Sequence, residues 1–256
     1  MKRQLTLILV LISITASAQL KAISYTEGTQ KLNGFSAVPK KALKQKPGIL
    51  VLPAWMGIND HAKEVAEKLS ALGYHAFVAD IYGEGHIPTT PQQAGEQAGF
   101  YKNNPEAYQK RIQAALDALI KSGADKDNIV VIGYCFGGTG ALEAARAGMN
   151  VKGVVSFHGG LGKDASRVNA EIKTKVLVLH GADDPHVPQK DIESFQKEMK
   201  EGHADWQMVY YANAVHAFTE KSAGNDNSKG AAYNESADKR SWQHFMDFLS
   251  ELFGKQ

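Results

Sequence analysis

Ile129-Val-Val-Ile-Gly-Tyr-Cys-Phe-Gly-Gly138, continued by Thr139-Gly140-Ala141, is the stretch on which the reading of this 256-residue chain turns. Four β-branched aliphatic residues run into a glycine, and a small-residue helix start follows, so the segment reads as strand, tight turn and helix. Gly133 and Gly137 stand two residues either side of Cys135. A Gly-x-nucleophile-x-Gly turn lifts its middle side chain above the C-terminal edge of a sheet, and the glycines relieve the crowding. The N-terminus of the following helix offers free N–H groups and a positive dipole end, which favour a thiolate and a developing oxyanion. Two other readings compete. Cys135 could be a small buried residue in a glycine-rich turn. A phosphate-binding loop fits less well, because Gly133 and Gly137-Gly138 do not match Gly-x-Gly-x-x-Gly and no Gly-Lys-Ser/Thr is present.

Outward from this turn, strands and helices alternate. Gly48–Leu52, His75–Ala79, Val151–Phe157, Lys175–Leu179 and Trp206–Tyr211 read as strands. A helix capped by Asn59 or Asp60 should bury Ala62, Val65, Ala66, Leu69 and Leu72; a second should bury Tyr108, Ile112, Ala115, Leu116, Leu119 and Ile120. A third helix follows Pro188, and Trp242, Phe245, Met246, Leu249 and Leu252 mark a C-terminal one. Residues 22–38 read as a hairpin turning near Glu27-Gly28, and residues 82–105 and 219–234 as long loops. The pattern predicts an α/β fold with a mainly parallel central sheet flanked by helices on both faces.

A thiol nucleophile needs a base, and the base needs an orienting carboxylate. In hydrolases built on such a sheet the acid and then the His follow the nucleophile, each just after a later strand. The loop after Lys175–Leu179 is Gly181-Ala-Asp-Asp-Pro-His-Val-Pro188, and Asn213-Ala-Val-His-Ala-Phe218 follows the last strand. The candidate order is therefore Cys135, Asp184, His216, with Asp183 the alternative acid. Among the other histidines, His158 and His180 end strands on the candidate edge and suit supporting roles. His86 and His186 lie in loops where they could touch substrate. His61, His75, His203 and His244 are expected at the wrong edge or on exposed faces.

Composition bounds the function classes. With 29 Lys+Arg against 27 Asp+Glu there is no electrostatic reason to expect nucleic acid as a partner. A single Cys excludes an internal disulfide framework and a multi-Cys zinc site; no metal and no cofactor are expected. At the N-terminus, Lys2-Arg3, the apolar run Leu5–Ile14 and Ala16-Ser17-Ala18 read as a signal peptide over residues 1–18. That leaves one expected domain, residues 19–256, exported to the periplasm or secreted, with no stable membrane insertion after cleavage. An uncleaved anchor is the competing reading, though the run falls short of the ~20 apolar residues that span a bilayer.

Taken together, Gly133-Tyr-Cys-Phe-Gly-Gly138, Gly181-x-x-Asp184-x-x-Val-Pro188 and His216-Ala-Phe218 resemble the dienelactone hydrolase family of α/β-hydrolases. Trp55-Met-Gly-Ile-Asn-Asp60, Ala79-Asp-Ile-Tyr-Gly83, Ser156-Phe-His-Gly-Gly160 and Gly230-Ala-Ala-Tyr-Asn234 add to the resemblance. It implies a Cys-His-Asp triad that cleaves small-molecule esters or lactones through an acyl-enzyme. It also implies an oxyanion hole from the backbone N–H groups of Phe136 and Trp55. Three positions depart from the family. A Glu that helps form the thiolate is Ala54 here, and two arginines that bind the substrate carboxylate fall at Glu84 and Glu220. These changes argue against dienelactone itself as substrate. A thioesterase, amidase or acyltransferase on the same triad, or a binding protein on a hydrolase scaffold, are the other functions this set of residues accommodates.

Overall fold

The structure, a computed structural model, describes residues 20–254; the expected signal peptide, residues 1–18, lies outside them. Eight strands form one sheet: β1 (Leu20–Glu27), β2 (Gln30–Ala37), β3 (Gly48–Leu52), β4 (His75–Val78), β5 (Ile129–Tyr134), β6 (Gly153–Phe157), β7 (Lys175–Gly181) and β8 (Trp206–Tyr211). Their order is β1-β2-β4-β3-β5-β6-β7-β8. β1 and β2 make an antiparallel hairpin, β2 pairs antiparallel with β4, and the other pairings are parallel. Strands β3 to β6 are buried along their whole length. This explains their uninterrupted apolar runs: a strand covered on both faces has no solvent side on which to place polar residues.

Helices cover both faces. Helix α1 (Asp60–Ala71) and helix α6 (Glu235–Phe253) pack on one face, where Leu69, Phe245 and Leu249 meet Val51, Ile132 and Leu177. On the other face lie α2 (Pro91–Asn103), α3 (Pro105–Lys121), α4 (Phe136–Arg146) and α5 (Gln189–Glu201), which bring Tyr108, Leu142 and Phe195 against Leu50, Val131 and Val178. The chain runs outward in opposite directions from the β3/β5 pair, so the ends of these strands form the crevice where sheets of this type bind ligands. Asn59 caps α1 through its side chain, accepting from the Ala62 N–H at 3.0 Å.

Two expectations need correction. Residues 82–105 are not simply a loop, because α2 occupies Pro91–Asn103, opened by a Thr90 side-chain cap and Pro91 in its first turn. Its buried face is only Ala94, Ala98 and Tyr101, and Gly95 and Gly99 dilute the helical pattern, so its amphipathic signal is weak. Leu72 is not a core residue either: it caps α1 and is 48% exposed, while Ser70 faces inward in its helix. The stretch 219–234 is irregular as expected, apart from two short 3-10 turns.

Candidate active site

Cys135 stands between β5 and α4 with φ 54° and ψ −113°, a conformation that strains a non-glycine residue. Neighbouring backbone holds it there. Its N–H donates to the Phe157 carbonyl at 3.0 Å, and its carbonyl accepts from Gly138 and Thr139. The flanking glycines are sterically required: a Cβ on Gly133 would collide with the Gly137 carbonyl, and one on Gly137 with the Leu52 carbonyl. The side chain that this turn raises is partly exposed.

His216 and Asp184 arrive from the ends of β8 and β7. His216 Nδ1 lies 2.8 Å from Asp184 Oδ2, which leaves Nε2 for the hydrogen bond to the Cys135 thiol. The Asp184 side chain is fully buried, and its other oxygen accepts from the His186 N–H at 2.8 Å. Asp183 is exposed, so the choice between neighbours falls on Asp184. Burial raises the Asp184 carboxyl, but the hydrogen bond and charge of His216 outweigh it and the net shift is downward. Cys135 follows the same pattern: burial pushes the thiol up, while His216, Lys102 of α2 and the Phe136 N–H bring it down overall. Burial alone would lower His216; its two anionic neighbours raise it. The arrangement thus favours a thiolate beside an imidazolium.

The loop after β8 is braced from behind. The His216 N–H donates to Gly230 O, the Ala232 N–H to His216 O and the Asn234 N–H to Phe218 O. This gives the Gly230–Asn234 motif a structural meaning. His158, expected as a supporting residue, is fully buried beneath the thiol. Its Nδ1 accepts from the Cys135 N–H at 3.2 Å, so the ring proton sits on Nε2 and points to Thr219 Oγ1, 2.9 Å away. Burial, then the His216 charge, drive its basicity well down, and it stays neutral. One imidazole therefore ties the backbone of the thiol to the loop that carries His216. His180 is buried against Tyr210, while the exposed His186 ring lies edge-on to His216 at 5.2 Å.

The expected oxyanion donors rest on aromatic supports that sequence reasoning did not identify as such. Tyr82 donates to the Trp55 carbonyl at 2.7 Å, and Tyr108 to the Phe136 carbonyl at 3.0 Å. The Phe136 ring stacks on both, at 4.6 Å from Tyr108 and 5.7 Å from Tyr82. Tyr108 was legible only as a core position. The available signal was its hydroxyl, since a tyrosine in a fully buried stripe needs a hydrogen-bond partner.

The two glutamates separate. Glu84 is exposed and pairs with Lys31 of β2 at 2.8 Å. Because β2 lies three strands from β5, about 14 Å at the usual spacing, that pair is not at the thiol. Glu220 is buried beneath the His216 loop and accepts from Asn59 Nδ2 at 3.4 Å. His86 is exposed in the turn after β4, its N–H closed on the Gly83 carbonyl. The expectation for His61 needs correction: it is half-buried in the first turn of α1, edge-on to Tyr134 at 4.7 Å. Among the described residues no group of three or more His, Cys, Asp or Glu is placed to hold a metal ion.

Known proteins resemble this chain over most of its length. A sequence model of the dienelactone hydrolase family matches residues 32–253. The chain is 28% identical over 221 residues to a "Probable 2-oxo-3-(5-oxofuran-2-ylidene)propanoate lactonase" from Bradyrhizobium sp, covering 82% of this chain and 86% of the relative. It is 24% identical over 235 residues to a provisionally named carboxymethylenebutenolidase from Salmonella typhimurium, covering 87% and 83%. Among solved structures, a dienelactone hydrolase-like promiscuous phosphotriesterase from metagenomic libraries superposes with a TM-score of 0.87 at 36% identity, covering 93% of this chain and all of that one.

Proposed function

This chain belongs to the dienelactone hydrolase family and is an α/β-hydrolase of the carboxylic-ester class; on that premise we propose that it cleaves esters or lactones through a Cys135–His216–Asp184 triad. The observation that carries the reading is the 2.8 Å bond between His216 and the buried Asp184, with the other imidazole nitrogen turned to the thiol. His216 Nε2 takes the thiol proton and the sulfur attacks the carbonyl carbon. The tetrahedral oxyanion is received by the N–H groups of Phe136 and Trp55, and the peptide that follows each of these residues is held by Tyr108 or Tyr82 through its carbonyl. His216 then protonates the departing alcohol. In the second half it deprotonates a water molecule, which attacks the thioester and releases the acid and the free thiol. Asp184 keeps the useful tautomer and steadies the imidazolium.

Ala54 adds no carboxylate at the thiol, so activation rests on His216, Lys102 of α2 and the Phe136 N–H at the start of α4. Without the two arginines the cleft favours esters or lactones that lack a carboxylate near the reacting carbonyl. The N-terminal reading adds export with removal of residues 1–18. A screen against p-nitrophenyl esters of increasing chain length, before and after one equivalent of iodoacetamide, tests the proposal. Hydrolysis should be present before and abolished after. Full activity after complete alkylation would contradict it.

A further inference from the structure

Of the segment Ala79–Gly83, the proposed hydrolysis uses only Tyr82. The residue most firmly held there is Asp80, which is buried just past the end of β4. The ladder between β2 and β4 pairs only Phe35, Ser36 and Ala37 with Val78, Phe77 and Ala76. Beyond Val78 the two are joined through Asp80 instead. Its Oδ2 accepts from the Asn33 N–H of β2 at 2.9 Å, and its Oδ1 accepts from the Gly83 N–H at 2.9 Å. The Tyr25 hydroxyl of β1 takes both backbone groups of the same residue. It accepts from the Asp80 N–H and donates to the Asp80 carbonyl, each at 2.9 Å.

We propose that Asp80 and Tyr25 form a clamp that positions an oxyanion donor through Tyr82; the inference rests on the reading of the Trp55 N–H as that donor. The bond from Gly83 to Asp80 closes the turn that carries Tyr82, so the ring leaves a fixed peptide. It lies between the rings of Phe136 and Tyr101, at 5.7 and 6.0 Å. The Tyr82 hydroxyl then reaches the Trp55 carbonyl at 2.7 Å and fixes the Trp55–Met56 peptide, next to the Trp55 N–H. Because the hydroxyl sits at the far end of a rigid ring, a small tilt of the turn is magnified at the Trp55 carbonyl. Oxyanion donors act only within about 2.7–3.1 Å of the developing charge, so such a shift is felt in the rate.

The residue types suit the task. A carboxyl group at position 80 offers two acceptor oxygens, one for each backbone N–H, whereas asparagine would offer one oxygen and turn an NH2 group towards the other donor. Burial raises the Tyr25 phenol well above its ordinary value, so it keeps the proton that it donates to the Asp80 carbonyl. Gly83 has φ 93°, in the left-handed region that favours glycine, and this lets the chain turn back to the hairpin. There the Glu84 N–H donates to the Lys31 carbonyl at 2.9 Å, and Gln30 Nε2 donates to the Glu84 carbonyl at 3.0 Å. The turn is thus fastened to β1 and β2 on both sides of Tyr82, and an edge hairpin remote from the thiol gains a link to the reaction.

The test is a double-mutant cycle read in the hydrolysis of p-nitrophenyl acetate by the full protein. Asp80→Asn and Tyr25→Phe are each made alone and together with Tyr82→Phe. Alone, each should lower kcat about fivefold with KM changed by less than about twofold. Reaction of Cys135 with iodoacetamide, a displacement that forms no oxyanion, should keep its rate. Added to Tyr82→Phe, each should cost less than about twofold, because the path to Trp55 is already cut. Tyr25→Phe removes a single oxygen and serves if Asp80→Asn does not fold. A merely structural role would multiply the losses. Multiplied losses, an unchanged kcat in a folded single variant, or slowed alkylation would overturn the clamp while leaving the active-site reading in place. No hydrolysis by the wild type, or an unchanged kcat in Tyr82→Phe alone, would instead be a failure of that reading and would remove the clamp with it.

Discussion

Glu220→Gln should make the protein more stable, and by an amount that depends on pH. The Glu220 carboxyl is raised from 4.5 to about 7, chiefly by burial. The folded chain therefore holds a proton between those values that the unfolded chain has released, and wild-type stability falls as pH rises through that window. The 7 − 4.5 = 2.5 unit difference corresponds to about 3 kcal/mol of stability, fully present below about pH 4 and lost above about pH 7. Glutamine has the shape of the protonated acid and keeps an oxygen for Asn59, but it cannot ionise. The variant should match wild type at pH 4 and exceed it by about 3 kcal/mol at pH 8, or roughly 6–12 °C in Tm for a chain of this size. Urea and thermal melts of both proteins from pH 4 to pH 8, in phosphate and acetate buffers free of amines, measure this. An advantage that is the same at pH 4 and pH 8, or no advantage at pH 8, would refute the reasoning and place Glu220 in contact with solvent.

His158→Ala should raise the apparent pKa for iodoacetamide reaction at Cys135 and lower kcat at least about tenfold, because one lost hydrogen bond near the thiol is worth about 1–3 kcal/mol. His158→Asn, whose amide oxygen can take the Cys135 N–H, should restore most of both, and equal defects in the two variants would count against the hydrogen bond. Tyr82→Phe should lower kcat about tenfold with little change in KM, since it frees the Trp55–Met56 peptide, next to the Trp55 N–H, without touching the thiol; an unchanged kcat would remove Tyr82 from the account. A neutral ester should be preferred in kcat/KM over an isosteric ester carrying a carboxylate. Glu220→Gln should shrink that preference and Glu84→Gln should leave it, because Glu84 is exposed and already paired with Lys31. A better rate with the anionic ester would return dienelactone-like substrates to consideration.

The parts of this protein that were legible in its sequence share a physical reason. The parallel strands are buried on both faces and spell continuous apolar runs, and the candidate residues follow them within a few positions: Cys135 after β5, Asp184 after β7, His216 after β8. Order along the chain therefore translates into proximity at one sheet edge. What escaped the sequence depends on direction and depth. Helix α2 hides behind Gly95 and Gly99 and a face of small residues, yet it brings Lys102 near enough to help lower the thiol. Tyr82 and Tyr108 act through single hydroxyls, which no spacing encodes. Glu84 and Glu220 were equivalent as loop glutamates, but folding left one in solvent and buried the other under the His216 loop. His61 looked like a surface helix residue because its partner ring, Tyr134, is 73 positions away in the chain (134 − 61).

The central claim is that Cys135 carries the acyl group. Acid-quenched mass spectrometry of the enzyme during turnover of p-nitrophenyl acetate reads it directly. The account predicts one acetyl group per chain, mapped to the peptide containing Cys135, appearing before steady state and absent in Cys135→Ala along with hydrolysis. An acetyl group on another residue, or a Cys135→Ala variant that still turns over at the wild-type rate, would contradict it.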